Sequence, residues 1–181
     1  MRWFLKQIDI LDEPADVLIC SANVHLTLSG GVGADLLAHY GNRMQSALQQ
    51  IVRERTPHCV ERGEIISYTG PEIPYKSILH AVAINGWYES TPAIVTDVTR
   101  RALQMAAEKG AHKVALTALA TGFGRLTLVE FAQGINPLLK ENITPIEEVV
   151  ICLLLDFQVA ELAQYTPGID LVSPIVRPQS N

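Results

Sequence analysis

Six short apolar runs punctuate the chain: Trp3–Ile8 (WFLKQI), Asp16–Cys20 (DVLIC), Glu64–Thr69 (EIISYT), Ser77–Ile84 (SILHAVAI), Lys113–Leu119 (KVALTAL) and Glu148–Phe157 (EVVICLLLDF). Each has strand length, and several are too apolar to face water on either side, as strands inside a covered sheet are. Between them apolar positions recur at helical spacing. The clearest helix starts at Thr91, a capping hydroxyl, followed by Pro92 at the first helical position and by Ile94, Val98, Ala102 and Met105 on one face; Lys109-Gly110 closes it. Thr127 to Glu130 has capping-box spacing and predicts a helix from there towards Asn142. A third helical region covers Ala34 to about Glu54. This alternation predicts an α/β domain whose largely central sheet carries helices on both faces.

A length of 181 residues fits one core. Neither a linker nor an internal repeat divides it. Residues 1–165 read as the domain and 166–181, with three prolines after Tyr165 and a polar end, as an extended tail. The balance of 48% hydrophobic to 18% charged residues is globular and predicts no disordered arm.

A net charge of −5 with no Lys/Arg run leaves no basic footprint for a nucleic-acid backbone. The opening MRWFLKQIDI lacks the apolar stretch and small-residue site of a secretory leader, and no apolar segment reaches membrane length. The expected partners therefore include neither nucleic acid nor membrane, and the expected location is cytoplasmic. Cys20 and Cys152 sit in strand-like runs as small buried hydrophobes; Cys59, next to His58, reads as surface loop. With no CxxC or HxxxH spacing, no metal site is expected.

Candidate chemistry lies in two glycine loops. Gly30-Gly31-Val32-Gly33 stands between the strand ending near Cys20 and the helix starting near Ala34; TGFGR, Thr121–Arg125, stands between the KVALTAL strand and the TLVE helix. Glycine lets main-chain N–H groups approach a ligand closely, and a helix N-terminus adds its dipole, so each loop suits an anion. Loops beyond the carboxyl ends of strands form the ligand crevice of open α/β sheets, so the pair could grip a diphosphate from both sides. The plain alternative is a tight turn, which one glycine satisfies. A GxGxxG dinucleotide fingerprint fails because Leu36 stands where its last glycine belongs, and no loop ends in Gly-Lys-Ser or Gly-Lys-Thr.

From about Trp3 to about Ala163 the sequence resembles the macrodomain family of ADP-ribose-binding α/β/α modules. SANVHLTLSGGVGADLL (Ser21–Leu37) is similar to the family's Asn-Ala-Ala-Asn segment and following glycine-rich loop, with Asn23 in place of the last asparagine. Asp9-Ile10 resembles the Asp-Ile after the first strand, LHAV (Leu79–Val82) the Ile-His-Thr-Val strand, and LATGFGRLT (Leu119–Thr127) the second phosphate loop. The resemblance implies a three-layer α/β/α sandwich with a mixed central sheet and ADP-ribose as ligand, with no cofactor.

It also implies roles. Asp9 accepts from the adenine amino group, with the Ile10 amide beside the ring and Phe157, at the end of the last strand, against adenine. Gly30, Gly31, Val32 and Gly33 bind diphosphate through main-chain N–H groups, and Thr121, Gly122, Phe123 and Gly124 close from the other side, with Phe123 over the distal ribose. Ala22 and Asn23 meet that ribose, the Asn23 amide using both donor and acceptor. The bland readings are a turn aspartate for Asp9, a core phenylalanine for Phe157 and a local turn for Asn23.

Macrodomains divide between readers of ADP-ribose or ADP-ribosylated proteins and hydrolases that remove ADP-ribose from proteins or deacylate O-acetyl-ADP-ribose. One hydrolase branch has an aspartate where this chain has Gly33, and another a histidine where it has Leu28. His25 lies nearby, and Asp35 is expected to point elsewhere, as a first-turn charge on the helix dipole. Binding is accordingly read first. Hydrolysis, with Asn23 as the catalytic candidate positioning water, is the alternative, and a scaffold without a ligand is the third reading.

Overall fold

Strand β2 (Val17–Ser21) holds the middle of a seven-stranded sheet together with β5 (Lys113–Thr117) and β4 (Ser77–Ala81). Outside them lie β3 (Ile65–Tyr68), β6 (Glu148–Leu153), β1 (Arg2–Gln7) and β7 (Asp170–Val172), giving the order β3-β4-β2-β5-β6-β1-β7. All neighbours are parallel except β3, which runs antiparallel to β4. This computed structural model describes residues 1–172, so residues 173–181 of the expected tail lie outside the described residues.

The period of two along each strand separates two cores. Val17 and Ile19 of β2, Val114 and Leu116 of β5, and Val149 and Ile151 of β6 face one layer; Leu18, Cys20, Ala115, Val150 and Cys152 face the other. On the first side pack α3 (Pro92–Glu108), α4 (Leu128–Ile135) and α5 (Asp156–Tyr165), through residues such as Val98, Leu103, Phe131 and Leu162. On the second pack α1 (Gly31–Tyr40) and α2 (Asn42–Arg53), through Leu36, Met44, Leu48 and Val52. The result is a three-layer α/β/α sandwich with a mixed sheet, as expected. Among the described residues no helix is long and apolar enough to cross a membrane.

Several boundaries differ from the sequence reading, each for a local reason. The expected helix from Ala34 to Glu54 is two helices, because Gly41 at φ +72° ends α1 and opens α2. The helix expected to reach Asn142 stops at Ile135 and tightens into a 3-10 turn over Asn136–Lys140, where Pro137 supplies no N–H. The run expected as strand to Phe157 ends at Leu153, and Leu155 C=O accepts from Gln158 and Val159 N–H as α5 begins. Part of the expected tail joins the sheet: Asp170–Val172 pairs with Phe4–Lys6 as β7, a three-residue edge strand whose apolar Leu171 and Val172 make too short a run to stand out beside the prolines.

Buried charge is paired. Glu13, just after the first 3-10 turn, is 1% exposed and bonded by Lys6 Nζ at 2.7 Å and Lys113 Nζ at 2.8 Å. Burial would raise its carboxyl, but the two ammonium hydrogen bonds override that and hold it below the usual carboxylate range.

Candidate functional site

A cleft of about 400 Å³ opens at the carboxyl ends of β1, β2, β4, β5 and β6. Ile8, Asp9 and Ile10 wall it after β1, Ala22 and Asn23 after β2, Ile84 and Tyr88 after β4, and Leu154 after β6. Both glycine loops reach it: Gly30, Gly31, Val32 and Gly33 on one side, Thr121, Gly122, Phe123 and Gly124 on the other.

The first loop delivers an open helix end. Gly30, at φ +70°, is the N-cap of α1 and offers no side chain to its first-turn N–H groups. Those of Gly31, Val32 and Gly33 therefore stand uncapped along the cleft wall, with the helix dipole behind them. Leu28 backbone lies 3.2 Å from where a Cβ on Gly33 would stand, so close packing of α1 on the preceding strand-to-helix segment explains a glycine here.

The second loop is tied down from inside. Ala120 N donates to Ser21 Oγ at 3.2 Å, Thr121 Oγ1 donates to Ala118 O at 2.9 Å, and Leu126 N donates to Ala120 O at 3.2 Å. The turn folds so tightly that a Cβ on Gly124 would overlap the Ala120 carbonyl. Among the described residues no acceptor within the chain takes the N–H groups of Gly122, Phe123 and Gly124. The Phe123 ring, 66% exposed, occupies the space a Gly30 side chain would need, so the loops meet across the cleft.

Asn23 spends its amide locally. Its Oδ1 accepts from His25 N at 3.0 Å and Thr27 N at 3.3 Å, and its Nδ2 donates to Thr27 O at 2.8 Å. The local turn is thus real, and the expectation of a free acceptor for the ribose is corrected: one N–H of the amide remains for a ligand. Two residues that sequence reasoning missed hold the same loop. Gln45 of α2 accepts from Leu28 N at 2.6 Å and donates to Leu26 O at 3.1 Å, while Gln49 donates to His25 O at 2.9 Å. These bonds sustain Leu26 at φ +49°, a costly conformation for a branched residue.

At the other end Asp9 caps the 3-10 turn Ile10–Asp12, one oxygen accepting from Leu11 N at 2.9 Å and the other free to face the cleft. The local turn role thus occupies one carboxylate oxygen and leaves the other for a ligand. Phe157 is corrected in place: it lies in the first turn of α5, 60% exposed, outside the cleft wall, where Leu154 and Gln158 stand instead. Asp35 is corrected too. It sits one residue beyond the first turn of α1 and lines the cleft rather than pointing away.

The wall also includes buried groups. His80 of β4 is 1% exposed with Nε2 unpartnered, and burial pulls its imidazole down to about 4, so it is neutral near pH 7. Burial pushes the Cys152 thiol up to about 12 and raises that of Cys20, so both are unreactive hydrophobes. Cys59 is half-buried in a loop beside exposed His58. Among the described residues no group of three or more His, Cys, Asp or Glu side chains could share a metal ion.

This architecture has known counterparts. A Streptomyces griseus protein, "Macro domain-containing protein in non 5'region", is 27% identical over 143 residues, covering 78% of this chain and 81% of that protein. An O-acetyl-ADP-ribose deacetylase of Cronobacter sakazakii is 30% identical over 118 residues, 64% of each chain. The chain spans 34% of the length of an uncharacterized Mycobacterium tuberculosis relative. Among solved structures, the Trypanosoma brucei macrodomain in complex with ADP-ribose superposes with TM-score 0.73 at 17% identity, over 90% of this chain and 68% of that one. A family model described as "Macro domain" matches residues 19–135, well over half of the sequence, and the chain belongs to the macro domain family.

Proposed function

We propose that this chain binds ADP-ribose, free or attached to proteins, in the cleft between the two glycine loops. The observation that carries the reading is the uncapped first turn of α1 facing a second set of unclaimed loop amides across one cleft. A diphosphate is a doubly charged acceptor of the right length for both, and backbone dipoles supply positive potential inside a protein of net charge −5. Adenine then lies toward Asp9 and Ile10, and the distal ribose toward Ala22 and the remaining Asn23 N–H, with Phe123 as cover. The Trypanosoma brucei neighbour crystallised with ADP-ribose supports the choice of ligand. No cofactor or metal enters it, and neither nucleic acid nor membrane is a partner. The free cysteines suit a cytoplasmic setting.

Calorimetric titration with ADP-ribose, AMP and ribose 5-phosphate tests the reading. ADP-ribose should bind tightest, because it alone spans the whole cleft; equal affinity for all three, or no saturable binding, overturns it.

Hydrolysis is the second reading, favoured by the deacetylase relative and by Asp35, a carboxylate in the cleft wall. Release of free ADP-ribose from an ADP-ribosylated protein, or of acetate from O-acetyl-ADP-ribose, lost in Asn23→Ala, would establish turnover. Rates at the uncatalysed background leave the protein a reader.

A further inference from the structure

Two hydroxyls stand at the floor of the cleft. Ser21 is the last residue of β2 and Thr117 the last of β5, neighbouring strands in the middle of the sheet, and both residues line the cleft. The first glycine loop follows β2 and the second follows β5, so these two strand ends lie between the loops. Ser21 N donates to Thr117 Oγ1 at 3.1 Å, and Ser21 Oγ accepts from Ala120 N at 3.2 Å. Ala120 is held at φ +64°, a conformation that a side chain disfavours, so this anchor on its N–H sets where the second loop starts.

Each hydroxyl oxygen therefore receives a fixed N–H, while among the described residues neither hydroxyl proton is taken by an acceptor in the chain. Thr121 differs, because its own proton is spent on Ala118 O at 2.9 Å. An accepted N–H fixes the oxygen and leaves the proton for another acceptor, and the open side at Ser21 and Thr117 is the cleft. The charge of the wall makes such donors matter. Among the described residues no Lys or Arg lines the cleft, and its acidic side chains are Asp9 and Asp35, so an anion held there depends on neutral donors.

We infer that Ser21 and Thr117 are ligand-binding residues whose hydroxyl protons donate to phosphoryl oxygens of the bound diphosphate, a side-chain contribution to a site otherwise built from main-chain amides. The inference rests on the proposed function, which sets the diphosphate between the two loops and so above these strand ends. A hydroxyl that donates to an anionic oxygen makes a stronger bond than one that donates to a neutral acceptor, so its removal is read in affinity. Ser21 acts twice, since its oxygen also holds the loop through Ala120; Thr117 bonds to neither loop.

The test titrates wild type, Thr117→Val, Thr117→Ser and Ser21→Ala with ADP-ribose, ADP and adenosine. Thr117→Val keeps the shape and loses the hydroxyl; it should weaken ADP-ribose and ADP about tenfold, a difference of about 1.4 kcal/mol, with adenosine held within about twofold. Thr117→Ser keeps the hydroxyl and should hold ADP-ribose within about twofold of wild type. Ser21→Ala should weaken ADP-ribose at least as much as Thr117→Val, because the second loop loses its anchor as well. Hydrogen exchange at the Ala120 amide separates contact from support: in Thr117→Val it should stay as slow as in wild type, and faster exchange together with weaker binding would mean that Thr117 acts through the loop, against the inference. Folded Thr117→Val and Ser21→Ala with wild-type affinity overturn the inference and leave the proposed function standing. So does an equal weakening of adenosine, or an equal loss in Thr117→Ser and Thr117→Val. Wild type that binds neither ADP-ribose nor ADP overturns the proposed function itself.

Discussion

Both glycine loops follow a buried parallel strand and lead into a helix, yet the two helices begin in opposite ways. At α4 the Thr127 hydroxyl accepts from Glu130 N at 3.2 Å, and the Glu130 carboxylate accepts from Thr127 N at 2.8 Å, so the end is sealed by its own side chains. At α1 the cap is glycine, and no side chain answers the first-turn amides. A side-chain cap contributes about 1 kcal/mol, and α2 and α5 also lack one, so what sets the α1 end apart is that its amides line the cleft. In the proposed function the open end is the one given to ligand. Around α4 the loop amides alone are available, and the helix end belongs to the fold.

The strongest way to break this contrast is to put charge into the open end. Gly31→Glu should lower ADP-ribose affinity at least about 100-fold, near 3 kcal/mol, by setting a carboxylate where the diphosphate belongs. A Cβ at Gly31 meets nothing within 4 Å, so no core contact is lost, although φ +49° adds strain. Gly31→Ala carries the same strain without the charge and separates the two effects. Calorimetry on both variants decides; unchanged affinity in folded Gly31→Glu would remove α1 from the site.

A smaller effect is expected where α2 holds the approach to α1. Gln45→Leu removes two hydrogen bonds from the Leu26–Leu28 backbone, costing about 2 kcal/mol of stability. The loosened segment must then be ordered by ligand, so ADP-ribose affinity should fall about fivefold while AMP, which does not reach Asn23, keeps its affinity. Thermal melting and paired titrations check this. An equal loss for both ligands would mean that Gln45 acts on the fold alone.

The contrast between the loops was partly legible in the sequence. Strand, glycine loop and helix in repeated order identified both loops, and Thr-x-x-Glu spacing identified the sealed end, because these signals are local. The role of Gln45 and Gln49 was not, since glutamines on an amphipathic helix look like a solvated face until the fold brings the Leu26 loop against them. Asp35 was misplaced for a related reason: the helix starts at Gly31, which moves this carboxylate out of the first turn and onto the cleft wall. Phe157 was misplaced because the apolar run Leu153–Leu155 carries no mark of where the strand stops. Asn23 lines the cleft, but a side chain's choice between its own loop and a ligand depends on backbone geometry that residue identity does not encode.

The gentlest test sharpens the comparison from the sealed side. Thr127→Ala unmakes the capping box, since Glu130 N loses its acceptor. Stability should fall by about 1 kcal/mol, roughly 2–4 °C in Tm for a domain of this size. ADP-ribose affinity should stay within about twofold, because the freed amide belongs to a helix end outside the cleft wall. Melting curves and one titration measure both quantities on the same preparation. A variant with intact stability and weakened binding would show that the end of α4 serves the ligand after all, and the division of labour between the two helix ends would be lost.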